Sequence, residues 1–302
     1  MANPASRLLV AGYLSVDTVV QPDGRGRRQA GGAALFAALG ARHAGASVDL
    51  CASVGSDYPP QWLSALDAVG IGLAGVARKA VPSRWAQIRH EADGARRSTH
   101  FGDPRWWEAS ERHAPALPDD LGGCGLVVAC PMPATALEAL LDAAEVAGLP
   151  VVADLSEAFV REERSAILAL VPRLAVLAPS REETRLLLPD LCDDEAARRL
   201  AELGPAVLQK RGAQGAYGVE AGGGDGWHLP APAARLVDPT GAGDATVGAF
   251  AGARLAGGDL RGAAQAALAI GALAVSGHGA AALCPALHPF PVIQAMQGVL
   301  AR

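Results

Sequence analysis

Short apolar runs and longer Ala- and Leu-rich segments alternate along the N-terminal part of the chain. Residues 7–12 form an apolar run that ends in glycine, and residues 47–55 alternate between apolar and polar positions, as strands do. Between them, residues 33–44 are rich in Ala and Leu and are followed by Gly45, which is typical of a helix with a glycine C-cap. This strand–helix–strand order indicates a parallel sheet with helices packed against it.

The same alternation continues towards the C-terminus. Residues 59–69 have prolines at their start and Gly70 after their end, so we expect a helix there, with Asp57 as its N-cap. Residues 71–78 form the next predicted strand. Further strands are predicted at 126–130, 151–154, 174–178, 206–212, 216–220 and 226–229, and further helices at 134–147, 245–256, 260–276 and 291–300.

A separate pair of strands is predicted in the middle of the chain. Residues 83–90 and 95–101 alternate on either side of an Asp-Gly pair at 93–94, which is the signal of a type I′ hairpin. This pair carries three arginines. A solvated face is the simpler interpretation, and contact with a charged substrate group or a partner lid is the alternative. The three are Arg84, Arg96 and Arg97.

Asp17 is a single charge within an apolar stretch at 14–20. Such a residue lies either on the solvent side of an edge strand or in a site. Periodicity alone favours the solvent side.

A glycine-rich turn at 238–244 is the strongest chemical feature of the sequence. It follows a predicted short strand at 233–237 and precedes the Ala-rich helix at 245–256. Gly241 and Gly243 let backbone N–H groups approach an anion without a Cβ in the way, and the helix N-terminus adds partial positive charge. The turn is therefore suited to a phosphate group, or to the charge that develops on one.

Asp244 ends this turn and falls within the first turn of the helix. A carboxylate there can take the proton of a hydroxyl that attacks a phosphate. The alternative is a plain turn in which Asp238 or Asp244 caps the helix. No Gly-Lys-Ser/Thr follows the turn and it contains no Gly-x-Gly-x-x-Gly, so it is neither a Walker A loop nor a dinucleotide-binding motif.

Composition narrows the class of protein. The chain has 302 residues, half of them hydrophobic, which suits a large α/β core. Its net charge of −5 argues against a nucleic-acid partner. The five cysteines have no metal-binding spacing and are expected to be reduced, mostly buried thiols of a cytoplasmic protein. Since no apolar run reaches the ~18 residues of a membrane helix, we expect no membrane segment.

The heptapeptide Asp-Pro-Thr-Gly-Ala-Gly-Asp at 238–244 resembles the C-terminal signature of the ribokinase-like (PfkB) carbohydrate and nucleoside kinases. The glycine pair at 31–32, Gly40 and the segment 54–57 resemble the N-terminal signature of that family. The resemblance implies an α/β fold, in which a three-layer, doubly wound, mostly parallel sheet carries a small β-strand lid.

The same resemblance predicts the domain organisation. We expect a single ribokinase-like α/β domain over residues 1–302. Lid strands at approximately 13–30 and 83–101 would be inserted in it, and a homodimer could form through them.

The family also implies an acceptor site. Its members have an Asp equivalent to Asp17 that binds substrate hydroxyls, and a glycine pair equivalent to Gly31 and Gly32 that lets the sugar lie against the backbone. Two positions depart from its sugar kinases: Phe36 stands where they commonly have Asn, and Pro131 where several have Glu. Phe36 is then either an apolar wall for the acceptor or a residue of the helix–sheet core.

Nucleotide and metal positions are implied in the same way. Ser180 and Glu183 stand where the family has Asn-x-x-Glu, whose Glu arranges the water shell of Mg²⁺, and they also form the capping-box pattern S-x-x-E. Lys210 replaces a family Thr beside the nucleotide, where it could pair with phosphates or lie on the surface. The remaining implied positions are Gly212 and Gly279 for the nucleotide, Asp154 for Mg²⁺ and Asp238 for K⁺.

These positions together imply a reaction. ATP, with Mg²⁺ and in some members K⁺, would phosphorylate a hydroxyl of a small polyol, sugar or nucleoside. Asp244 would be the general base, and the 241–244 turn, with the N–H groups of Ala242, Gly243 and Asp244, would be the anion hole. Two alternatives remain: a hydroxymethylpyrimidine- or pyridoxal-type kinase of the same superfamily, and a non-catalytic ligand-binding regulatory protein on this fold.

Overall fold

Two sheets form the scaffold of the protein. The computed structural model describes residues 6–20, 23–90, 96–98, 100–118 and 120–291. The predicted hairpin turn at 93–94, and all but the first residue of the predicted helix at 291–300, lie outside the described residues.

The larger sheet has nine strands among the described residues. In spatial order they are β13 (Trp227–Leu229), β12 (Ala216–Val219), β11 (Ala206–Lys210), β10 (Val176–Leu177), β9 (Val151–Ala153), β8 (Cys124–Ala129), β1 (Arg7–Ala11), β4 (Val48–Val54) and β5 (Ile71–Arg78). Strands β12 and β13 are antiparallel to their neighbours, and the other pairs are parallel. The prediction of a mostly parallel sheet is confirmed.

Helices cover both faces of this sheet. They are α1 (Ala33–His43), α2 (Pro60–Ala68), α3 (Pro104–Arg112), α4 (Ala134–Val146), α5 (Glu157–Leu170), α6 (Arg181–Leu187), α7 (Asp193–Ala201), α8 (Ala242–Leu255) and α9 (Leu260–Ala274). Alternation along β1 shows why two cores form, because Leu8 and Val10 belong to one and Leu9 and Ala11 to the other. Helices α1, α2, α8 and α9 pack in the first core and α3 to α7 in the second, which gives the three predicted layers.

The smaller sheet is the predicted lid. Its order is β14 (Phe290–Pro291), β3 (Gly26–Gly31), β2 (Ser15–Val20), β6 (Arg84–His90) and β7 (Arg96–Ser98). Strand β2 is antiparallel to β3 and parallel to β6, and β6 pairs antiparallel with β7. Strands therefore form in both segments that were expected to contribute to a lid.

A close crossing of α1 and α8 positions the glycine-rich turn. A Cβ on Gly40 would lie 2.1 Å from the carbonyl oxygen of Ala245, and one on Gly248 would lie 1.8 Å from that of Ala37. Only glycine allows the two backbones to approach this closely. The N-terminus of α8 is thus held against α1, the helix that follows the glycine pair at 31–32.

Two local predictions were wrong. Residues 233–237, all of them described, form no strand, and the N–H groups of Val237 and Asp238 instead donate to Val275 O at 2.8 and 3.2 Å, at the end of α9. Asp57 does not cap α2, because its Oδ1 accepts from the Ser83 N–H at 2.6 Å. The start of α2 needs less capping, since prolines at 59 and 60 bring no N–H group.

The structure bears on two expectations from the composition, namely reduced cysteines and the lack of a membrane segment. All five cysteines lie in the described part of the chain and are free thiols; Cys51, Cys130 and Cys284 are buried. None of the helices formed by the described residues is long and apolar enough to span a membrane.

Candidate active site

The glycine-rich turn forms an open cradle at the N-terminus of α8. Gly241 is the N-cap residue and has a left-handed conformation, with φ 75°. Gly243 is exposed, and its N–H donates to no acceptor among the described residues. The N–H of Ala242 makes only a long bond to Pro239 O, at 3.3 Å. Gly243 is therefore the best placed donor for an anion.

Asp238 connects the turn to a second loop. Its Oδ1 accepts from the Thr240 N–H at 2.9 Å, and its Oδ2 accepts from the Gly279 N–H at 3.0 Å. Helix α8 has no side-chain cap, so the interpretation of Asp238 or Asp244 as a simple N-cap is wrong. Asp238 instead fixes the turn relative to Gly279, which has φ 53° and lies beside the Gln29 side chain of the lid.

Charged side chains gather opposite the turn. Lys210, at the end of β11, forms an ion pair with Asp154, which follows β9. The Lys210 side chain is only 13% exposed, so its interpretation as a surface lysine is wrong. Its Nζ lies 3.6 Å from the point that a Cβ on Gly243 would occupy. The ammonium group thus faces the cradle, and β9 and β11 bring it there because their carboxyl ends meet at one edge of the sheet.

Ser180 and Glu183 belong to the same edge. They form the predicted capping box of α6: Ser180 Oγ accepts from the Glu183 N–H at 3.1 Å, and Glu183 Oε2 accepts from the Ser180 N–H at 2.6 Å. Burial raises the pKa of Glu183 to about 8, with a further contribution from Asp154. The charge of Lys210 acts in the opposite direction and offsets part of this rise.

Lys210 stays charged in this cluster. Burial alone would lower its pKa, but the carboxylates of Asp154 and Glu183 outweigh that effect and raise it. The charge of Asp244 acts in the same direction. No three His, Cys, Asp or Glu side chains of the described residues converge into a metal-binding group.

We predict that Lys210→Met lowers the free energy of unfolding by about 3–5 kcal/mol, because it leaves a buried carboxylate without its cation. Urea unfolding measures this. The double variant with Asp154→Asn removes both charges and should recover a large part of the loss. Equal destabilisation of the single and double variants would show that the ion pair contributes no coupling energy.

Asp17 lies on the lid, on its inner face, and is buried. The expectation that it faces solvent is wrong, because β2 is a central strand of the lid and not an edge. Ser15 Oγ donates to its Oδ1 at 2.6 Å. A Cβ on Gly31, in the neighbouring strand, would lie 1.8 Å from its Oδ2, so the glycine makes room for this carboxylate.

Gly32 and Phe36 join the lid side to the turn. Gly32 has φ 96° and is the N-cap of α1. Phe36, one turn into α1, is 2% exposed, and a Cβ on Gly241 would lie 2.2 Å from its ring. The structure therefore favours the core interpretation of Phe36 over an exposed apolar wall. Its ring supports the underside of the turn.

We predict that Phe36→Asn lowers the free energy of unfolding by about 3–5 kcal/mol, since it removes a core ring and buries an amide. Phe36→Leu, the control that stays apolar, should cost markedly less. Thermal unfolding and KM are to be measured together. An unchanged melting temperature with a raised KM would place Phe36 at the acceptor instead.

The structure brings the expected residues into two groups and leaves one apart. Asp244, Gly243, Lys210, Asp154 and Glu183 converge at the carboxyl edge of the large sheet. Asp17 and the glycine pair at 31–32 lie on the lid side. Gly212 opens a 3₁₀ turn at 212–214 beyond Lys210 and makes no hydrogen bond to either group among the described residues.

Sequence reasoning missed two neighbours of these groups. Cys130 is a buried thiol whose pKa is raised by burial and by Asp244 and Asp154. Tyr58 is buried, and the charge of Asp17 adds to the effect of burial in raising its pKa. Neither residue belongs to a motif, and only the folded chain brings them to the site.

Known proteins show the same architecture. Residues 9–287 match the pfkB family carbohydrate kinase. The cytidine kinase of Thermococcus kodakarensis is 29% identical over 250 residues, which are 80% of this chain and 86% of the relative. The nucleoside kinase of Burkholderia thailandensis in complex with inosine has a TM-score of 0.73 at 22% identity, and the match covers 90% of each chain. A putative ribokinase II of E. coli in complex with ATP and Mg²⁺ has a TM-score of 0.73 at 22% identity, covering 91% of this chain and 94% of that one.

The fold, the lid and the glycine-rich turn define a ribokinase-like phosphotransferase with an alcohol group as acceptor. The chain belongs to the pfkB family of carbohydrate kinases.

Proposed function

We propose that this protein is an ATP-dependent kinase that phosphorylates a hydroxyl group of a nucleoside, with Asp244 as general base. The observation that carries the proposal is the cradle at the N-terminus of α8, where the exposed Gly243 N–H and the Lys210 ammonium face the same space. A backbone donor and a cation beside a carboxylate suit a transferring phosphoryl group and the hydroxyl that attacks it.

The acceptor site is close to this cradle. Gly31, beside Asp17, precedes α1, and Phe36 in α1 contacts the turn at Gly241. Because a helix rises 1.5 Å per residue, Phe36 lies only about 5 Å along the axis from the start of α1. A small acceptor bound by its hydroxyls to Asp17 can therefore present another hydroxyl to Asp244.

The chain's own residues perform the steps of the reaction. Asp17 accepts hydrogen bonds from acceptor hydroxyls and orients the molecule. Asp244 takes the proton of the attacking hydroxyl as its oxygen bonds to the γ-phosphorus and the bond to ADP breaks. The N–H groups of Ala242, Gly243 and Asp244 stabilise the charge on the phosphoryl oxygens, and Lys210 stabilises it from the opposite side. The lid excludes water, so that the phosphoryl group passes to the acceptor.

Two carboxyl groups beside the cradle offer oxygen donors of the kind that Mg²⁺ prefers. Asp154 and Glu183 would hold Mg²⁺, largely through water, and the ion when bound neutralises phosphate charge. Ser180, Gly212 and Gly279 would border the nucleotide.

A K⁺ ion beside the turn is part of the proposal. Asp238 is buried there, and the Thr240 hydroxyl has no hydrogen-bond partner among the described residues. An oxygen-rich, partly unsatisfied site of this kind suits a monovalent cation. Equal kcat values in K⁺ and in Na⁺ would exclude this role for K⁺.

A nucleoside is favoured over a simple sugar by two features. Phe36 and Pro131 replace polar side chains that the family's sugar kinases commonly use. The relative with 29% identity is a cytidine kinase. The observed lid, with β6 and β7 paired, argues against the hydroxymethylpyrimidine or pyridoxal type, whose members usually lack one.

Release of ADP from ATP and Mg²⁺ in the presence of nucleosides, sugars and inositols tests the function. We expect the highest kcat/KM with a nucleoside. Stabilisation by one of these ligands in thermal unfolding without any ADP release would favour the non-catalytic binding protein. A higher kcat/KM for a sugar or an inositol than for every nucleoside would show that the proposed acceptor class is wrong.

Localisation and assembly complete the proposal. Free thiols and the use of ATP suit the cytoplasm.

A homodimer through the lid is proposed because its outer strands, β7 and β14, each pair on one side only among the described residues. Light scattering of the purified protein tests the dimer, and a monomer at all concentrations would exclude it.

A further inference from the structure

Arg84 is a buried arginine held between two aromatic rings. Its guanidinium carbon lies 4.2 Å from the ring centre of Tyr13 and 4.5 Å from that of Trp106. Its Nε donates to Ser110 Oγ at 2.9 Å, and that hydroxyl donates to Trp106 O at 2.9 Å. The side chain is therefore fixed in place, and its interpretation as part of a solvated face is wrong.

The other edge of the guanidinium group has no hydrogen-bond partner in the described part of the chain. Neither Nη group donates to a described residue, and no described carboxylate forms an ion pair with Arg84. The two Nη atoms are also not completely sealed from solvent. Burial of a cation without an ion-pair partner is costly.

Strand register places Arg84 on the same face of the lid as Asp17. Arg84 pairs with Ser15 and Ala86 pairs with Asp17, so the side chains of 84 and 17 point to one side. Burial lowers the pKa of Arg84, and the charges of Tyr13 and Asp17 offset only part of that effect. The Nη edge therefore borders the acceptor site.

Two more donors on this side lack partners among the described residues. They are the Nε2 group of Gln29, which pairs with Asp17 across β2 and β3, and the hydroxyl of Tyr58. Donors thus outnumber acceptors around Asp17. A ligand that satisfies them has hydroxyls for the carboxylate and hydrogen-bond acceptors for the rest.

We propose that Arg84 is the specificity-determining residue for the base of a nucleoside acceptor, and that its Nη edge binds a carbonyl oxygen of that base. This inference rests on the proposed nucleoside kinase function. A neutral carbonyl is favoured over a carboxylate, because Arg84 and Asp17 together make the site neutral and a second anion would meet Asp17. The planar guanidinium group, already oriented by two rings, lies ready for an in-plane bond.

The test compares cytidine, which has a base carbonyl, with phenyl riboside, which keeps the ribose and an aromatic ring without polar atoms. Arg84→Met should lower the ratio of kcat/KM for cytidine to that for phenyl riboside by about 10- to 100-fold, mainly through KM. The matched control is Arg89→Met, on the same strand, on the opposite face and exposed. It should keep the wild-type ratio.

A ratio does not depend on the folded fraction, so a destabilised Arg84→Met enzyme still decides the question. A parallel loss for both acceptors would reduce Arg84 to a structural residue of the lid and overturn the assignment. If the wild-type enzyme prefers gluconate to cytidine, the assignment of Arg84 to a base carbonyl is wrong and a carboxylate takes its place. Nucleoside phosphorylation with the wild-type ratio retained in Arg84→Met would sink this inference alone, whereas no nucleoside phosphorylation by the wild type would sink the proposed function.

Discussion

Replacement of Asp244 by Asn is expected to lower kcat by ~10²–10⁴, the usual contribution of a general base. The carboxylate lies in the first turn of α8, next to the exposed Gly243, and its charge acts to raise the pKa of the Lys210 ammonium group. Asparagine has the same shape and cannot accept the proton. Nucleotide affinity should stay close to that of the wild type, because the cradle N–H groups and Lys210 are unchanged.

Rapid-quench or coupled assays at saturating substrates measure kcat, and calorimetry measures nucleotide affinity. Asp225→Asn, which removes one charge from an exposed loop, is the matched control and should behave as wild type. A kcat for Asp244→Asn within threefold of the wild-type value would exclude Asp244 as the base. A large loss of nucleotide affinity would instead assign it to nucleotide binding.

Much of this site could be predicted because the information is local. The glycine spacing at 241–243, the acidic residue after it and the following Ala-rich segment define a turn and a helix N-terminus without any tertiary contact. The capping box of Ser180 and Glu183 is local in the same sense. Alternation and glycine C-caps likewise indicated strands of both sheets and the helices α1, α2, α4, α8 and α9, whereas α3, α5 and α7 were not predicted.

Other features could not be predicted because they depend on the order of strands in space. Lys210 and Asp154 are far apart in sequence, and they meet because β10 alone separates β9 from β11. Asp17 is buried because β2 lies between β3 and β6. The period of a single strand shows which residues share a face, and it does not show which face is covered.

The two glycines of the turn should respond to substitution in opposite ways. Gly241 has φ 75°, and a Cβ there would lie 2.2 Å from the ring of Phe36. Gly241→Ala is therefore expected to destabilise the fold. Gly243 lies within α8 without a positive φ, and the closest atom to its Cβ position is Lys210 Nζ at 3.6 Å, an ordinary contact. The chain can accept a side chain at 243 without strain.

Gly243→Val is accordingly expected to fold with nearly the wild-type free energy of unfolding, because valine and glycine differ by only a few tenths of a kcal/mol in helix propensity. Its side chain would fill the space between the turn and Lys210, where the proposal places the transferring phosphoryl group. We expect kcat to fall by at least ~10³, the upper end of the loss of one anion-hole donor, since steric exclusion adds to it. Ala266→Val, at an exposed position of α9, controls for the cost of a β-branched residue in a helix. Circular dichroism with urea unfolding and a steady-state assay separate stability from activity. A folded Gly243→Val enzyme with wild-type kcat would show that the phosphoryl group does not bind at this turn. It would also exclude Asp244 as the general base.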